Sequence, residues 1–69
     1  AAAQRQRLVL ARLPEAGRVN RDDLVTQLHG WMGAGQIDDT IDELIATHQA
    51  HGLSGKGGYI QRATGGDGS

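Results

Sequence analysis

Three histidines are the residues whose type and spacing could bind a metal ion. His48 and His51 lie three residues apart, a spacing that puts two imidazoles on one side of a helix, and His29 would be a third ligand. A structural zinc site normally needs four ligands with supporting hydrogen bonds, and the apolar pattern places His48 on the buried stripe of its helix. We therefore interpret the histidines as structural and predict no metal and no other cofactor.

Enzymatic chemistry has little support in the other residues. The sequence has no cysteine, and its two serines, Ser54 and Ser69, belong to no recognisable arrangement of a nucleophile with a base. The run Gly33-Ala34-Gly35 precedes a helix as phosphate-binding loops do, but the lysine and hydroxyl pair is missing. Asp38 and Asp39 would also repel a phosphate at that helix end. These observations predict a binding protein and not an enzyme.

Basic side chains are the groups that could contact the phosphates of a nucleic acid. Arg18 and Arg21 flank the start of the predicted second helix, Lys56 lies among glycines at a hairpin tip, and Arg62 lies at the hairpin base. Gln36, which begins the predicted third helix, completes this candidate set. The glycines would let the backbone near Lys56 approach a phosphate closely, although a solubilising lysine in a glycine-rich turn explains the same pattern.

Acidic side chains form a second candidate surface. Asp39 and Glu43 lie opposite the apolar stripe of the predicted third helix, with Asp42 beside them and Asp38 in the first turn. These carboxylates would repel phosphates if the helix entered a DNA groove. They form either an ordinary solvated face, in which Asp38 and Asp39 favour the positive end of the helix dipole, or a surface that recognises a basic partner.

The composition predicts one small domain. A chain of 69 residues without cysteine can form one hydrophobic core and cannot rely on disulfides. Seven basic and eight acidic residues give a net charge of −1, so binding to nucleic acid would need a local concentration of positive charge. No apolar run approaches the length of about 18 residues that a membrane span requires, and no signal peptide is recognisable, which predicts a cytoplasmic protein without membrane contact.

The first two helices are predicted from apolar periodicity and from residues that mark helix ends. Pro14 disfavours the helical conformation in the residue before it and so ends the first helix, predicted over about residues 2–13. A short extended link follows at residues 18 and 19. Asn20 is the predicted N-cap of the second helix, residues 21–29, and Gly30 is expected to close that helix in the left-handed conformation.

A third helix and a hairpin complete the predicted architecture. The helix is predicted over residues 36–51, with Gly52 as its stop signal. Strands at residues 53–54 and 59–62, joined by a tip at residues 55–58, form the hairpin. Tyr59 is expected to pack at the hairpin base, with a stacking platform as the alternative role. The glycine-rich residues 63–69 are predicted to be a flexible tail. The predicted apolar stripe of the third helix consists of Ile37, Ile41, Leu44, Ile45 and His48.

This order of elements resembles the winged-helix family, in which a β-hairpin wing follows the recognition helix of a helix-turn-helix. The resemblance covers roughly residues 4–62 and implies a mainly α fold of three helices with a small β-hairpin, as a domain over residues 1–62. It also implies that the third helix enters the major groove of DNA while the wing contacts phosphates or the minor groove. The matching segments are Val9-Leu10-x-x-Leu13, Leu24-Val25-x-x-Leu28, Ile41-x-x-Leu44-Ile45, and Gly52-Leu53 before Gly57-Gly58-Tyr59-Ile60.

Two functions of different classes remain. The first is DNA binding through the wing and the start of the second helix, which the resemblance favours. The alternative is protein interaction through Asp39, Asp42 and Glu43, which the acidic third helix and the near-neutral charge favour. The turn with Trp31 and Met32 is the remaining candidate contact, for self-association as a homodimer, although the Trp31 ring is expected to fold over the neighbouring helix ends as a partial core plug.

Overall fold

The chain forms three helices and three strands in the computed structural model, which describes the backbone of residues 2–63 and the side chains of residues 3–63. The predicted flexible tail lies outside the described residues from position 64 onward. Within the described range, no helix is both long enough and apolar enough to cross a lipid bilayer. The elements are α1 (Ala2–Ala11), β1 (Arg18–Asn20), α2 (Arg21–Leu28), α3 (Ala34–Ala46), β2 (Ala50–Gly52) and β3 (Tyr59–Arg62).

The first two helices begin and end close to the predicted positions. The side-chain oxygen of Asn20 accepts a hydrogen bond of 2.8 Å from the N–H of Asp22, which confirms Asn20 as the N-cap of α2. α2 ends at Leu28, and Gly30 does not adopt a positive φ. The predicted left-handed closure at Gly30 was wrong, because the carbonyl of Leu28 is instead satisfied by the N–H groups of the next turn.

The end of α3 differs most from the sequence prediction. The helix stops at Ala46, and His48 has a φ of 63°, in the left-handed region. The N–H of His48 donates to the carbonyl of Ile45, and the N–H of Gln49 donates to the carbonyl of Leu44 at 2.8 Å, the two bonds of a Schellman motif. His48 is therefore exposed, and the prediction that it belongs to the apolar stripe of α3 was wrong. Gly52, predicted as the stop signal, lies inside a strand.

The sheet has three strands within the described residues, in the order β1-β3-β2, and all pairs are antiparallel. The predicted isolated hairpin was therefore wrong in two respects. The link at residues 18 and 19 is part of a strand, because Val19 pairs with Ile60. The hairpin strand before the tip is β2, since the early end of α3 frees Ala50 to pair with Arg62. The three predicted helices are confirmed, and together with the small antiparallel sheet they form a mixed α/β architecture that is compatible with a winged helix.

Buried apolar side chains of the helices and the sheet form one cluster in the described part of the chain. Thr40, the buried polar residue, donates from its hydroxyl to the carbonyl of Gln36 at 2.8 Å, so its burial leaves no unsatisfied group. This core fixes the sheet on α3 and thereby determines which strand residues face solvent. Its members are Val9, Leu13, Leu24, Leu28, Met32, Ile37, Ile41, Leu44, Ala50 and Ile60.

Candidate functional site

The solvent side of the sheet brings polar and aromatic side chains from three strands close together. The side chains of a strand alternate between the two sides of the sheet. Because Ile60 is buried, its neighbours Tyr59 and Gln61 lie on the solvent side. The register then brings the exposed residues of the three strands together. We call this side, which carries Arg18, Asn20, His51, Tyr59 and Gln61, the outer sheet face. Its strands contain no aspartate or glutamate.

Arg18 and Tyr59 form a stacked pair on the outer sheet face. The guanidinium carbon of Arg18 lies 4.7 Å from the centroid of the Tyr59 ring. The two residues are diagonal neighbours across β1 and β3, because Arg18 pairs with Gln61 and Asn20 pairs with Tyr59. Tyr59 is 39% exposed, so the prediction that it packs into the hairpin base was wrong. The pair therefore presents a planar cation stacked over a partly exposed aromatic ring.

The loop between β2 and β3, residues 53–58, carries Lys56 and is held in place at both ends. We call this segment the wing loop. The N–H of Gly55 donates to the Asp38 carboxylate at 2.9 Å, and the N–H of Gly58 donates back to Gly55 at 2.9 Å, which closes a tight turn around Lys56. The carbonyl of Gly58 accepts from the N–H of Arg21 at 2.9 Å. Lys56 therefore stays exposed on a fixed turn.

Arg21 has partners within the domain. Its Nε and Nη2 atoms donate to the two oxygens of Asp38 at 2.8 and 2.7 Å, and Nη1 donates to Asp22 at 3.0 Å. The hydrogen bond from Arg21 lowers the pKa of Asp38, the N–H of Gly55 lowers it further, and partial burial opposes both. The same pairing raises the pKa of Arg21. Arg21 and Asp38 thus connect the start of α2, the first turns of α3 and the wing loop.

The lowered pKa of Asp38 predicts a loss of stability in acid. Because the folded-state pKa lies below the unfolded value of about 4, the contribution of Asp38 is present above that value and disappears as the pH falls below it. We expect Asp38→Asn to lower the free energy of unfolding at about pH 6 and to lose less of it between about pH 6 and pH 3 than the unmodified chain does. Urea melts at both pH values measure this difference.

The control is Asp39→Asn, which removes an exposed carboxylate one residue further along α3. It should change the free energy of unfolding at about pH 6 by less than Asp38→Asn does, because it breaks no ion pair described in the structure. An Asp38→Asn variant that loses as much stability in acid as the unmodified chain would show that the ion pair with Arg21 does not couple folding to pH.

Arg62, predicted as a phosphate contact, extends from β3 to the end of α1. Its Nη2 atom donates to the carbonyl oxygens of Leu10 at 2.6 Å and of Leu13 at 2.9 Å. Leu10 lies in the last turn of α1, where a cation also complements the helix dipole, and Leu13 follows the end of the helix. The Nε atom is buried and has no hydrogen-bond partner within residues 3–63. Arg62 therefore joins the sheet to α1 with a guanidinium group that is largely withdrawn from the surface.

Gln36, the remaining member of the predicted phosphate-binding set, caps α3. Its side-chain oxygen accepts a hydrogen bond of 3.1 Å from the N–H of Gly33, the N-cap residue. This bond satisfies an N–H group that the helix itself leaves free, as in a capping box. Of the predicted basic contacts, the structure leaves Arg18 and Lys56 on the surface and engages Arg21 and Arg62 within the domain.

The predicted acidic surface of α3 is partly engaged by neighbouring elements. Glu43 is half-buried and accepts from the side-chain nitrogen of Gln6 at 3.2 Å. Asp42 accepts from the hydroxyl of Ser54 in the wing loop at 2.8 Å. Asp39 is exposed and has no hydrogen-bond partner among the residues the structure describes. The surface remains acidic, but two of its three carboxylates also hold neighbouring segments in place.

The turn between α2 and α3 places Trp31 and Met32, which were predicted together as a contact surface, in different environments. Met32 is 4% exposed and belongs to the core, whereas Trp31 is 64% exposed. The expected plugging of the core by Trp31 was wrong, because the chain after Leu28 directs Met32 inward instead. Trp31 lines a shallow groove of about 250 Å³ together with residues that include Arg5 and Leu8 of α1.

The residues that sequence reasoning missed are His51 and Gln61, and Tyr59 was assigned to the wrong environment. The signal was present in the order Tyr59-Ile60-Gln61, because a strand that buries its central isoleucine must expose the residues on both sides. His51 could not be assigned in this way, since it was placed at the end of α3. Among the described residues, the histidines and carboxylates do not assemble into a group of three that could hold a metal ion.

Comparisons of the chain with protein-family models, with curated proteins and with solved structures gave no match. The class of the domain therefore follows from its architecture alone. It is a small α/β domain with three helices and an antiparallel three-stranded sheet over residues 2–63, compatible with a winged helix.

Proposed function

We propose that this domain is a non-catalytic winged helix that binds nucleic acid through the outer sheet face and the wing loop. The observation that carries the proposal is the separation of charge between two surfaces. Arg18 is exposed on the outer sheet face, whose strands contain no aspartate or glutamate. Lys56 is exposed in the wing loop. Phosphate contacts through basic side chains provide most of the affinity for nucleic acid.

The acidic surface of α3 supports binding by the wing instead of insertion of that helix into a groove. Asp39 and Asp42 are exposed on α3, and Glu43 is half-buried beside them. A helix that entered the major groove would bring these carboxylates toward the two phosphate backbones. Binding through the outer sheet face avoids this repulsion, because its strands carry no carboxylate.

The wing loop lies closer to α3, since Ser54 donates to Asp42 and the N–H of Gly55 donates to Asp38, and Lys56 supplies its positive charge. Its glycines at positions 55 and 57, both with positive φ, also leave the backbone around Lys56 free of side chains.

The contact set we propose is smaller than the set of basic residues near the wing. Arg21 has both Asp38 oxygens as partners, and the guanidinium of Arg62 lies against the carbonyls of α1. A phosphate would have to compete with these groups for the same donors. We therefore base the proposal on Arg18 and Lys56 and leave Arg21, Gln36 and Arg62 in their structural roles.

Titration of the domain with labelled DNA at increasing salt tests this proposal. We expect Lys56→Ala and Arg18→Ala each to reduce the slope of log affinity against log salt by about one unit, because each removes one phosphate contact. Asp39→Ala should leave the affinity unchanged or raise it. Fluorescence anisotropy, starting from about 50 mM salt, measures both quantities.

The matched control is Arg7→Ala, which removes one exposed positive charge from α1 and leaves the wing intact. It should not change the salt slope. The proposal is overturned if the unmodified domain does not bind at about 50 mM salt, or if Arg7→Ala reduces the slope as much as Lys56→Ala does.

Protein interaction is the second candidate function, and the exposure of Trp31 favours it. An exposed tryptophan beside a groove and next to Arg5 combines two residue types that often dominate protein interfaces. A partner with a basic surface would also meet the carboxylates of α3. If this function applies, Asp39→Ala and Trp31→Ala weaken association, whereas Lys56→Ala has little effect. The same variants thus distinguish the two candidates.

A further inference from the structure

We propose that the outer sheet face binds unpaired bases, so that the preferred ligand of the domain is single-stranded nucleic acid. This inference rests on the proposed function and specifies its ligand. It arises from the Tyr59 ring under Arg18, an aromatic group that phosphate contacts do not require. Bases that are not paired stack on aromatic rings and on guanidinium planes, and Arg18 already lies over the Tyr59 ring, so that a base can extend this stack.

The sheet holds the stacking pair in a fixed position. Tyr59 lies in β3, the central strand, which has a partner strand on each side. Arg18 reaches the ring from β1, with its guanidinium carbon 4.7 Å from the ring centroid. The backbone of Tyr59 is also fixed by the bond from the N–H of Leu53 to its carbonyl, at 2.8 Å. A platform that is ordered before binding loses little entropy when a base stacks on it.

Polar groups beside the platform suit the edges of a base. Gln61 follows two residues after Tyr59 on the same side, and His51 pairs with Gln61 across β2 and β3. Neither side chain has a hydrogen-bond partner among residues 3–63. An amide and an imidazole offer both donors and acceptors, as the Watson–Crick edge of an unpaired base requires. In a duplex this edge is occupied by the opposite base, so these groups favour a single strand.

The size and charge of the surface also favour a single strand. Three strands of three or four residues make a face about 10 Å wide, which accommodates one or two bases and not the width of a duplex. Lys56 lies three residues before Tyr59 in the wing loop and can neutralise the phosphate of a strand that crosses the face. A single strand laid on the sheet also avoids the carboxylates of α3.

The test compares three labelled probes of about 12 nucleotides: single-stranded oligothymidine, an abasic strand with the same phosphates, and a blunt hairpin duplex. We expect oligothymidine to bind about tenfold more tightly than either of the others. Tyr59→Leu should weaken oligothymidine binding by about tenfold and leave abasic binding unchanged, because it removes stacking and no charge. Tyr59→Phe should retain the binding.

Leu53→Ala is the control, since it removes an apolar side chain that is 61% exposed in the wing loop without touching the aromatic ring. It should leave all three affinities unchanged. Thermal melts test whether Tyr59→Leu is folded, and we expect that it is, because position 59 is exposed. If Tyr59→Leu unfolds, the comparison of oligothymidine with the abasic strand still decides the question on the unmodified domain.

The outcomes separate this inference from the proposed function. Equal binding of the abasic strand and oligothymidine, with a salt slope that depends on Lys56, overturns base stacking and leaves phosphate binding standing. Tighter binding of the duplex than of the single strand also overturns the inference alone. Failure of all three probes to bind at about 50 mM salt overturns both.

Discussion

Ile41→Asp is expected to unfold the domain in buffer at neutral pH. Ile41 is fully buried at the centre of α3, in contact with the cluster that joins the helices to the sheet. The substitution loses the burial of an isoleucine and places a carboxylate without a partner in the core, at a combined cost of about 5 kcal/mol or more. A domain of this size, without disulfides, has a stability of roughly 3–5 kcal/mol. Circular dichroism should show loss of helix and no cooperative melting.

The control for this prediction is Ala46→Asp, which adds the same carboxylate at an exposed position of the same helix. It should cost less than about 1 kcal/mol, mainly through the unfavourable position at the negative end of the helix dipole. Cooperative melting of Ile41→Asp with native helix content would mean that α3 presents a different side to the core.

Gly52→Ala is expected to be the most damaging conservative change in the sheet. Gly52 has a φ of 140°, which L residues rarely adopt, and a Cβ at this position would overlap the carbonyl oxygen of Tyr59. That oxygen accepts the N–H of Leu53 at 2.8 Å, so the strand pair cannot move aside without losing a bond. We expect a loss of about 3 kcal/mol or more in the free energy of unfolding, measured by urea denaturation.

Gly35→Ala is the matched control, because Gly35 lies in the first turns of α3 and a Cβ there meets no atom within 4 Å. The change should stabilise the domain by about 0.5–1 kcal/mol, since alanine loses less backbone entropy than glycine in a helix. Similar small effects of both substitutions would show that β2 does not require the glycine conformation described for position 52.

The basic residues near the wing show which properties of a candidate binding site can be predicted from neighbouring residues in the sequence. Arg18 and Lys56 were predicted from the sequence as surface cations, and the structure leaves both exposed. Arg21 and Arg62 had the same charge and similar neighbours in the sequence, yet their partners lie 17 and about 50 residues away in the chain. A side chain with a distant partner cannot be told from a free one by its type and spacing, because only the fold brings the two groups together.

The sequence by itself determined most of the helical residues in the core and the start of α2. The spacing of the apolar residues on α2 and α3 specified the buried Leu24, Leu28, Ile37, Ile41 and Leu44, and Asn20 specified the start of α2. These properties depend on periodicity and on capping bonds between residues at most four positions apart. They can therefore be read without knowledge of the rest of the fold.

The tertiary structure decided which residues face solvent on the sheet and where α3 ends. β1 becomes a strand because β3 pairs with it, and these strands lie about 40 residues apart in the sequence. The helix stops at Ala46, with His48 in the left-handed conformation, because the chain must turn there for Ala50 to join the core and the sheet. Both outcomes depend on hydrogen bonds and packing between distant segments, which outweigh the local preferences of the residues involved.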